Sequence, residues 1–466
     1  MRSIYLLAAL AFLVAAEEIT HLPGANFDIN FKHYSGFLQV SHTNFFYYWF
    51  VESQGNPQND PLVFWFNGGP GCSSLVGLLK EMGPYQIEEE NLKQNPYAWN
   101  KLANVVYIES PAGVGFSYST DGNVTTNDDD VADKNYVAIK EFLRKFPLFR
   151  NHRVFIAGES YAGIYVPTLT TRIIDNHLNY PIRLEGVAIG NGYVDMDLNL
   201  ETTVKFLYSH GLIDEELFSN FAKDCCGGCV ETCNFTTFLH VNGSCNTVAR
   251  SIEHNFWHSG INPYDIYRDC DSSPSRNSKR MTHLMRGLTR KRIDIDKIIE
   301  ERKQEDLENL ARKKVNHLYG TPCLNDTSTE NFLNNLNVRK AIHVPWDLPY
   351  WKSCSDNVSS AYTQNYDTVA PEIKKIVGAG VRTLMYFGDT DFVCNFLLGQ
   401  EFVEGLGLRR IKKKTPWKVD GQIAGFKVLF DGLSFVTVRG SGHMVPEWRP
   451  SQSFYMIQQF LNNEEL

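Results

Sequence analysis

Beyond its first sixteen residues the chain has no uninterrupted apolar run of about 18 residues, the length a helix needs to cross a bilayer. It also lacks an excess of positive charge. Its 45 Lys and Arg stand against 53 Asp and Glu, a formal net charge of −8, which speaks against a nucleic-acid binder. No Gly-rich segment ends in the Gly-Lys-Ser/Thr of a phosphate loop, and none of the 13 histidines has Glu three residues later, the spacing of a zinc-ligand pair. No repeat or low-complexity tract is visible, and the balance of 43% hydrophobic to 21% charged residues is that of a folded globular chain. The sequence therefore implies no metal and no cofactor.

What is present begins with an address. Arg2 supplies a positive start, Ile4 to Val14 form a short apolar run, and Val14-Ala15-Ala16 offers small residues for cleavage. This is a signal-peptide pattern over residues 1–16, with the mature chain expected to start near Glu17. Asn-X-Ser/Thr acceptor sites for glycosylation at Asn123, Asn234, Asn242, Asn325 and Asn357 agree with a secretory route. So do the ten cysteines, read as disulfide formers. Five of them crowd together at Cys225, Cys226, Cys229, Cys233 and Cys245. Cys226-Gly-Gly-Cys229 has zinc-knuckle spacing, but disulfides are the preferred reading in an oxidising compartment.

From Tyr34 to Gly192 strand-like apolar runs alternate with helical stretches. Phe45–Phe50, Leu62–Phe66, Val105–Ile108 and Val154–Ala157 read as buried strands, and the pattern over Asp133–Phe146 and after Ser160 is helical. Strand-like runs return at Val381–Phe387 and Leu433–Val438. Strands separated by helices argue for an α/β fold with a mostly parallel central sheet. Between them lies a different region with the cysteine cluster and a charged segment. The chain thus divides into a first core segment (17–194), an inserted cap (195–329) and a second core segment (330–466). The basic run Thr289-Arg-Lys-Arg292 in the insertion reads either as a protease-sensitive processing loop or as a solvated helix face.

Three words carry chemistry. Arg153-Val-Phe-Ile-Ala-Gly-Glu-Ser-Tyr-Ala-Gly163 reads strand, tight turn, helix, with small residues two before and two after Ser160. A nucleophile elbow demands this, because the turn is sharp enough to exclude larger side chains. Ala162 departs from the usual Gly at the second small position. A serine needs a histidine base and an acid to orient it, and on an elbow fold these follow in the order Ser, Asp, His. Gly388-Asp-Thr-Asp391 and Gly440-Ser-Gly-His443 follow strands and supply both, with Asp389 and Asp391 equally eligible. Third, Asn67-Gly-Gly-Pro-Gly71 follows an early strand and can turn backbone N–H groups toward a developing oxyanion.

Together with Glu109-Ser-Pro-Ala-Gly-Val-Gly-Phe-Ser-Tyr118 and Gly442-His-Met-Val-Pro446, these words resemble the serine carboxypeptidase family, that of cathepsin A and carboxypeptidase Y. The match runs from Tyr34 to the C-terminus and is weakest in the insertion. The resemblance implies an α/β-hydrolase fold and removal of C-terminal residues from peptides through an acyl-enzyme. By it, Ser160 is the nucleophile, His443 the base and Asp391 the triad acid, with the backbone N–H groups of Gly69 and Tyr161 as oxyanion donors. Asn67, the Gly68 backbone, Glu81 and Glu159 would hold the substrate's free carboxylate, and protonated glutamates there imply binding favoured in acid. The resemblance also implies disulfides Cys72–Cys354 and Cys270–Cys323, with Cys225–Cys245 and Cys226–Cys233 in the cluster. It leaves over Cys229 and a buried thiol at Cys394. Peptide or protein C-termini are the implied partners, a homodimer stays open, and the destination is lysosomal or extracellular. The competing functions are an acyltransferase or esterase on the same triad, and a protective or binding glycoprotein.

Overall fold

A computed structural model describes residues 17–88, 91–230, 233, 235–240, 243–270 and 323–466. The expected signal peptide, Asn234, Asn242 and the basic run at 289–292 lie outside these residues. The ten longer strands are β1 (His33–Gln39), β2 (Asn44–Val51), β3 (Leu62–Phe66), β4 (Asn104–Ile108) and β5 (Val154–Glu159), then β6 (Leu184–Gly190), β7 (Arg382–Gly388), β8 (Arg410–Val419), β9 (Gln422–Phe430) and β10 (Leu433–Val438).

The apolar runs are continuous because both faces of the sheet are covered. Along β2, Phe46, Tyr48 and Phe50 enter one core while Tyr47, Trp49 and Val51 enter another. β3 divides its residues the same way, Leu62, Phe64 and Phe66 against Val63 and Trp65. Successive side chains of a strand point to opposite faces, so an uninterrupted run is what a doubly covered sheet requires.

The sheet has 12 strands, with the longer ones in the order β1-β2-β4-β3-β5-β6-β7-β10-β9-β8. From β4 to β10 every neighbouring pair is parallel. Both flanks are antiparallel. The sheet is therefore mixed, with a parallel centre. β8 and β9 escape a reading by apolar runs because the edge strand β8 carries Arg410, Lys412, Lys413 and Lys414, all exposed. Charges of that kind protect an unpaired edge from further pairing. The β8–β9 turn is Asp420-Gly421 with φ of 50° and 75°, the left-handed pair that a two-residue hairpin demands.

Helix α1 (Asp128–Lys145) begins five residues before the hydrophobic pattern does. Asn127 caps it by accepting from Asp130 N at 3.0 Å, and Asp128, Asp129 and Asp130 occupy its positive first turn. Helix α2 (Ala162–Asp175) leaves the tight turn after β5. After β6 the chain turns helical: α3 (Met196–Glu201), α4 (Thr203–Ser209), α5 (Glu215–Cys225), α6 (Phe235–His240) and α7 (Ser244–His258). These helices gather a small core of their own, including Phe206, Phe221, Phe235 and Phe256, which extends to Phe392 just beyond β7.

Disulfides join Cys72 to Cys354, Cys225 to Cys245, Cys226 to Cys233 and Cys270 to Cys323. Cys226 of the zinc-knuckle spacing is thus bonded to Cys233. Asn123, Asn325 and Asn357 are exposed. Among the described residues no helix is long and apolar enough to cross a membrane.

Aromatic rings join the sheet to α1, and Phe50 carries several of these contacts. Phe50 lies 5.1 Å from Phe142, 5.0 Å from Phe146 and 5.1 Å from Phe149, ring centroid to centroid. Phe50→Ala is expected to lower the free energy of unfolding by about 3–5 kcal/mol, and Phe50→Leu by less than about 2 kcal/mol. Urea unfolding followed by tryptophan fluorescence checks this, and an unchanged midpoint for the alanine variant would refute it.

Candidate active site

The turn between β5 and α2 places Ser160 at the end of the parallel centre of the sheet. Its φ of 63° is left-handed, a conformation L-residues adopt only under constraint. The constraint is visible: Ser160 N donates to Gly190 O at 3.1 Å, and Ser160 O accepts from Tyr193 N and Gly163 N, both at 2.8 Å. A Cβ on Gly158 would stand 2.5 Å from Phe66 O and 2.7 Å from the Cβ of Ala162. Ala162 is thus small because it faces Gly158, and the residue two positions after the serine need not be glycine.

His443 and Asp391 arrive from two loops beyond β10 and β7. His443 Nδ1 lies 2.7 Å from Asp391 Oδ2, with the pair 3% and 0% exposed. Asp391 also accepts from Asn191 Nδ2 at 2.9 Å, Val393 N at 3.0 Å and Cys394 N at 3.1 Å. Asp389 instead accepts from Gly440 N at 2.6 Å, so it ties the histidine loop rather than the histidine. The ambiguity between the two acids is therefore resolved by geometry, in favour of Asp391 as the histidine's partner.

Two contacts to this pair lie outside the sequence words. Asn191, at the end of β6, bridges Asp391 to Gly388 N, whose N–H it accepts at 2.9 Å. Tyr264 O accepts from His443 N at 2.8 Å, and the tyrosine ring stands edge-on to the imidazole at 5.2 Å between centroids. Asn191 sits in Gly190-Asn-Gly192 after a strand, a weak signal that could have pointed to it. Tyr264 follows the insertion's helices and had none.

The Gly-rich loop after β3 is drawn against the elbow. A Cβ on Gly68 would lie 2.3 Å from Tyr161 N, so only glycine permits that approach. The loop that carries Gly69 thus lies directly against the N–H of Tyr161. Tyr161's hydroxyl donates to the buried Asp128 at 2.8 Å, which accepts equally from Tyr362. Asp128 is a further anchor of the elbow that sequence reading did not reach.

Beside the loop, Asn67, Glu81 and Glu159 form one buried group. Asn67 Nδ2 donates to Glu81 Oε1 at 3.1 Å and to Glu159 Oε1 at 2.9 Å. Glu81 is 0% and Glu159 4% exposed, and the Oε2 atom of each accepts from no donor group. Burial raises both carboxyls, Glu81 to about 7 and Glu159 well above its ordinary range. Glu81 adds to the rise at Glu159, whereas Glu159 opposes it at Glu81; the nearby Glu447 raises both, and Asn67 opposes both. Burial thus favours the protonated form of Glu159 most strongly.

The family model for serine carboxypeptidases matches residues 23–463. The chain is 38% identical over 463 residues to serine carboxypeptidase ctsa-4.1 of Caenorhabditis elegans, covering 97% of this chain and 94% of the relative. It is 39% identical over 459 residues to the lysosomal protective protein of Mus musculus, covering 96% and 94%. Among solved structures, the prohormone-processing carboxypeptidase Kex1(delta)p of Saccharomyces cerevisiae matches with a TM-score of 0.71 at 20% identity, covering 93% of this chain and 91% of that one. That likeness speaks to the fold, which is an α/β-hydrolase fold. On the family match and the two close relatives, the chain belongs to the serine carboxypeptidase family.

Proposed function

We propose that this serine carboxypeptidase releases C-terminal residues through an acyl-enzyme on Ser160, with peptide binding favoured in acid. Ser160 Oγ attacks the scissile carbonyl carbon while His443 takes its proton, and Asp391 holds the imidazole in the required tautomer. The backbone N–H groups of Gly69 and Tyr161 receive the oxygen on which charge develops, a contribution of about 10²–10³-fold per donor. His443 then returns the proton to the leaving nitrogen, the C–N bond breaks and the terminal residue departs. Water repeats the sequence to free the acyl group.

The observation that carries the exopeptidase reading is the buried Asn67–Glu81–Glu159 group next to Ser160. Glu81 Oε2 and Glu159 Oε2 are buried polar atoms without a donor, and such atoms mark a place for a ligand. With Glu159 protonated, the group and the backbone of Gly68 offer donors to a terminal carboxylate. A secretory route ending in the lysosome or outside the cell fits the four disulfides and the acid preference.

The discriminating experiment compares a blocked dipeptide with its C-terminally amidated twin. A clear preference for the free acid at low pH supports the reading, and equal turnover of the two at every pH would favour an esterase or acyltransferase on the same triad.

Ser160→Ala is expected to lose about 10⁴-fold or more of kcat and Asp391→Asn a similar amount, whereas Asp389→Asn, acting through the loop at Gly440, should lose far less. Turnover of the blocked dipeptide reads all three. A tenth of normal activity in Ser160→Ala, or a larger loss at Asp389 than at Asp391, would overturn the assignment.

The pH dependence has a definite sign. The carboxyls are raised, so they are protonated in acid; Glu81 ionises as pH climbs through about 7, and Glu159, raised further, holds its proton longer. Each ionisation then sets a negative charge against the substrate's carboxylate, so KM for peptides should rise toward neutral pH. An ester without a terminal carboxylate should not follow. Glu81→Gln with Glu159→Gln keeps donors but removes the titration, so the double variant should bind less tightly in acid and show a flatter KM profile. Superimposable pH profiles of the two proteins would dismiss the carboxylate grip.

A further inference from the structure

Glu109 is a buried acid for which the proposed chemistry has no use. It follows β4 directly and is 0% exposed. Its Oε1 accepts from Ser73 Oγ and, at 2.7 Å, from Trp351 Nε1, while Oε2 accepts from Phe116 N at 2.7 Å. Among the described residues no Lys or Arg pairs with it. A buried carboxyl without a cation weakens a fold relative to an apolar residue of the same shape, even when hydrogen-bonded. The gain must lie in what those three donors are attached to.

Ser73 belongs to the loop 67–74, which has neither strand nor helix of its own apart from an isolated bridge at Cys72. The loop leans on the segment 351–359. Cys72 is bonded to Cys354, Ser73 N donates to Ser353 O at 2.8 Å, Ser355 N to Gly71 O at 2.8 Å and Ser359 Oγ to Pro70 O at 2.6 Å. Trp351 opens that segment. One oxygen of Glu109 therefore receives a donor from the loop and a donor from its support, and sets the spacing between them.

We propose that Glu109 is a positioning residue for the oxyanion-binding loop: by holding Ser73 and Trp351 on one carboxyl oxygen it fixes where the N–H of Gly69 points. The inference rests on the assignment of Gly69 as an oxyanion donor. Donors of this kind act because they are already in place when charge develops, so a loop free to shift loses part of their effect without losing the fold.

The test uses the purified full chain carrying Glu109→Gln, Ser73→Ala, the two together, and Trp351→Phe. Active sites are counted with a serine-directed fluorophosphonate, and kcat per labelled site is measured on a blocked dipeptide and on a neutral ester. Glu109→Gln and Ser73→Ala should each lower kcat by about 10-fold or more on both substrates, within the range a displaced catalytic group shows. The double variant should be no worse than the poorer single one, because both act on the same Ser73–Glu109 link. Trp351→Phe leaves the Ser73 bond and should lose less. The pH profile of KM should not move. Ser73→Ala removes only a hydroxyl, so it decides the matter if Glu109→Gln fails to fold. A kcat per labelled site within twofold of wild type, with only the melting temperature lowered, would overturn the proposal. A loss confined to the dipeptide would also overturn it, since that places the effect in the carboxylate grip. A wild-type protein not labelled on Ser160 would overturn this proposal together with the assignment it rests on, and that result is read without any Glu109 variant.

Discussion

The carboxamide of Asn67 has every hydrogen-bonding position filled, and the site is organised around it. Its Oδ1 accepts from Trp65 Nε1 at 2.7 Å and from Gly77 N at 3.2 Å, while its Nδ2 donates to Glu81 and Glu159. Turning the amide over would set its NH₂ against two N–H donors, so the orientation is forced by its partners. One side chain thereby ties the end of β3, the turn of helix at Gly77–Glu81 and the residue preceding Ser160. The two glutamates cannot move apart without breaking this link. Held together and buried, they cannot both ionise at low cost.

The close approach of Gly68 to Tyr161 N follows from the same arrangement. β3 and β5 are adjacent parallel strands with Phe66 opposite Gly158, so the loops leaving them start side by side. Parallel strands end on the same edge of the sheet, where ligand sites of α/β folds form. β6 and β7 bring Asn191 and Asp391 to that edge, and the loop after β10 adds His443. The chemistry is thus collected by strand order, and the side chains of Asn191, Asp391 and His443 are then locked by one or two long-range hydrogen bonds each.

Strand order is also where sequence reading reached its limit. The runs at Leu62–Phe66 and Val154–Ala157 declared buried strands because nothing polar interrupts them, and the elbow followed from the small residues around Ser160. The mixed flanks stayed hidden because β8 is lysine-rich and exposed, and α1 was read short because its first turn is acidic rather than apolar. Asp389 and Asp391 could not be told apart, since the difference lies in which loop each meets: Gly440 N for one and His443 Nδ1 for the other. Asn191 and Tyr264 reach the Asp391–His443 pair across some two hundred residues of chain, and no local spacing encodes such a contact. Glu109 stood inside a quoted motif, yet only its three donors in space reveal an acid with something to hold.

In the proposed function, the carboxyls explain why this site need not be an endopeptidase. A general elbow hydrolase polarises a carbonyl and accepts whatever extends beyond it. In the proposed arrangement the group beyond the leaving residue must be an anion that takes a hydrogen bond from a protonated glutamate. A continuing peptide chain offers a neutral amide there, which cannot offset the burial of Glu81 and Glu159, because burying polar groups with unmatched partners costs on the order of 1–3 kcal/mol each. In that arrangement the discrimination arises from polar atoms left unpaired when the wrong substrate binds, and it requires a buried pair rather than a surface one. The same burial raises the two carboxyls, so in the proposed arrangement selectivity for a free terminus and preference for acid come from one cause.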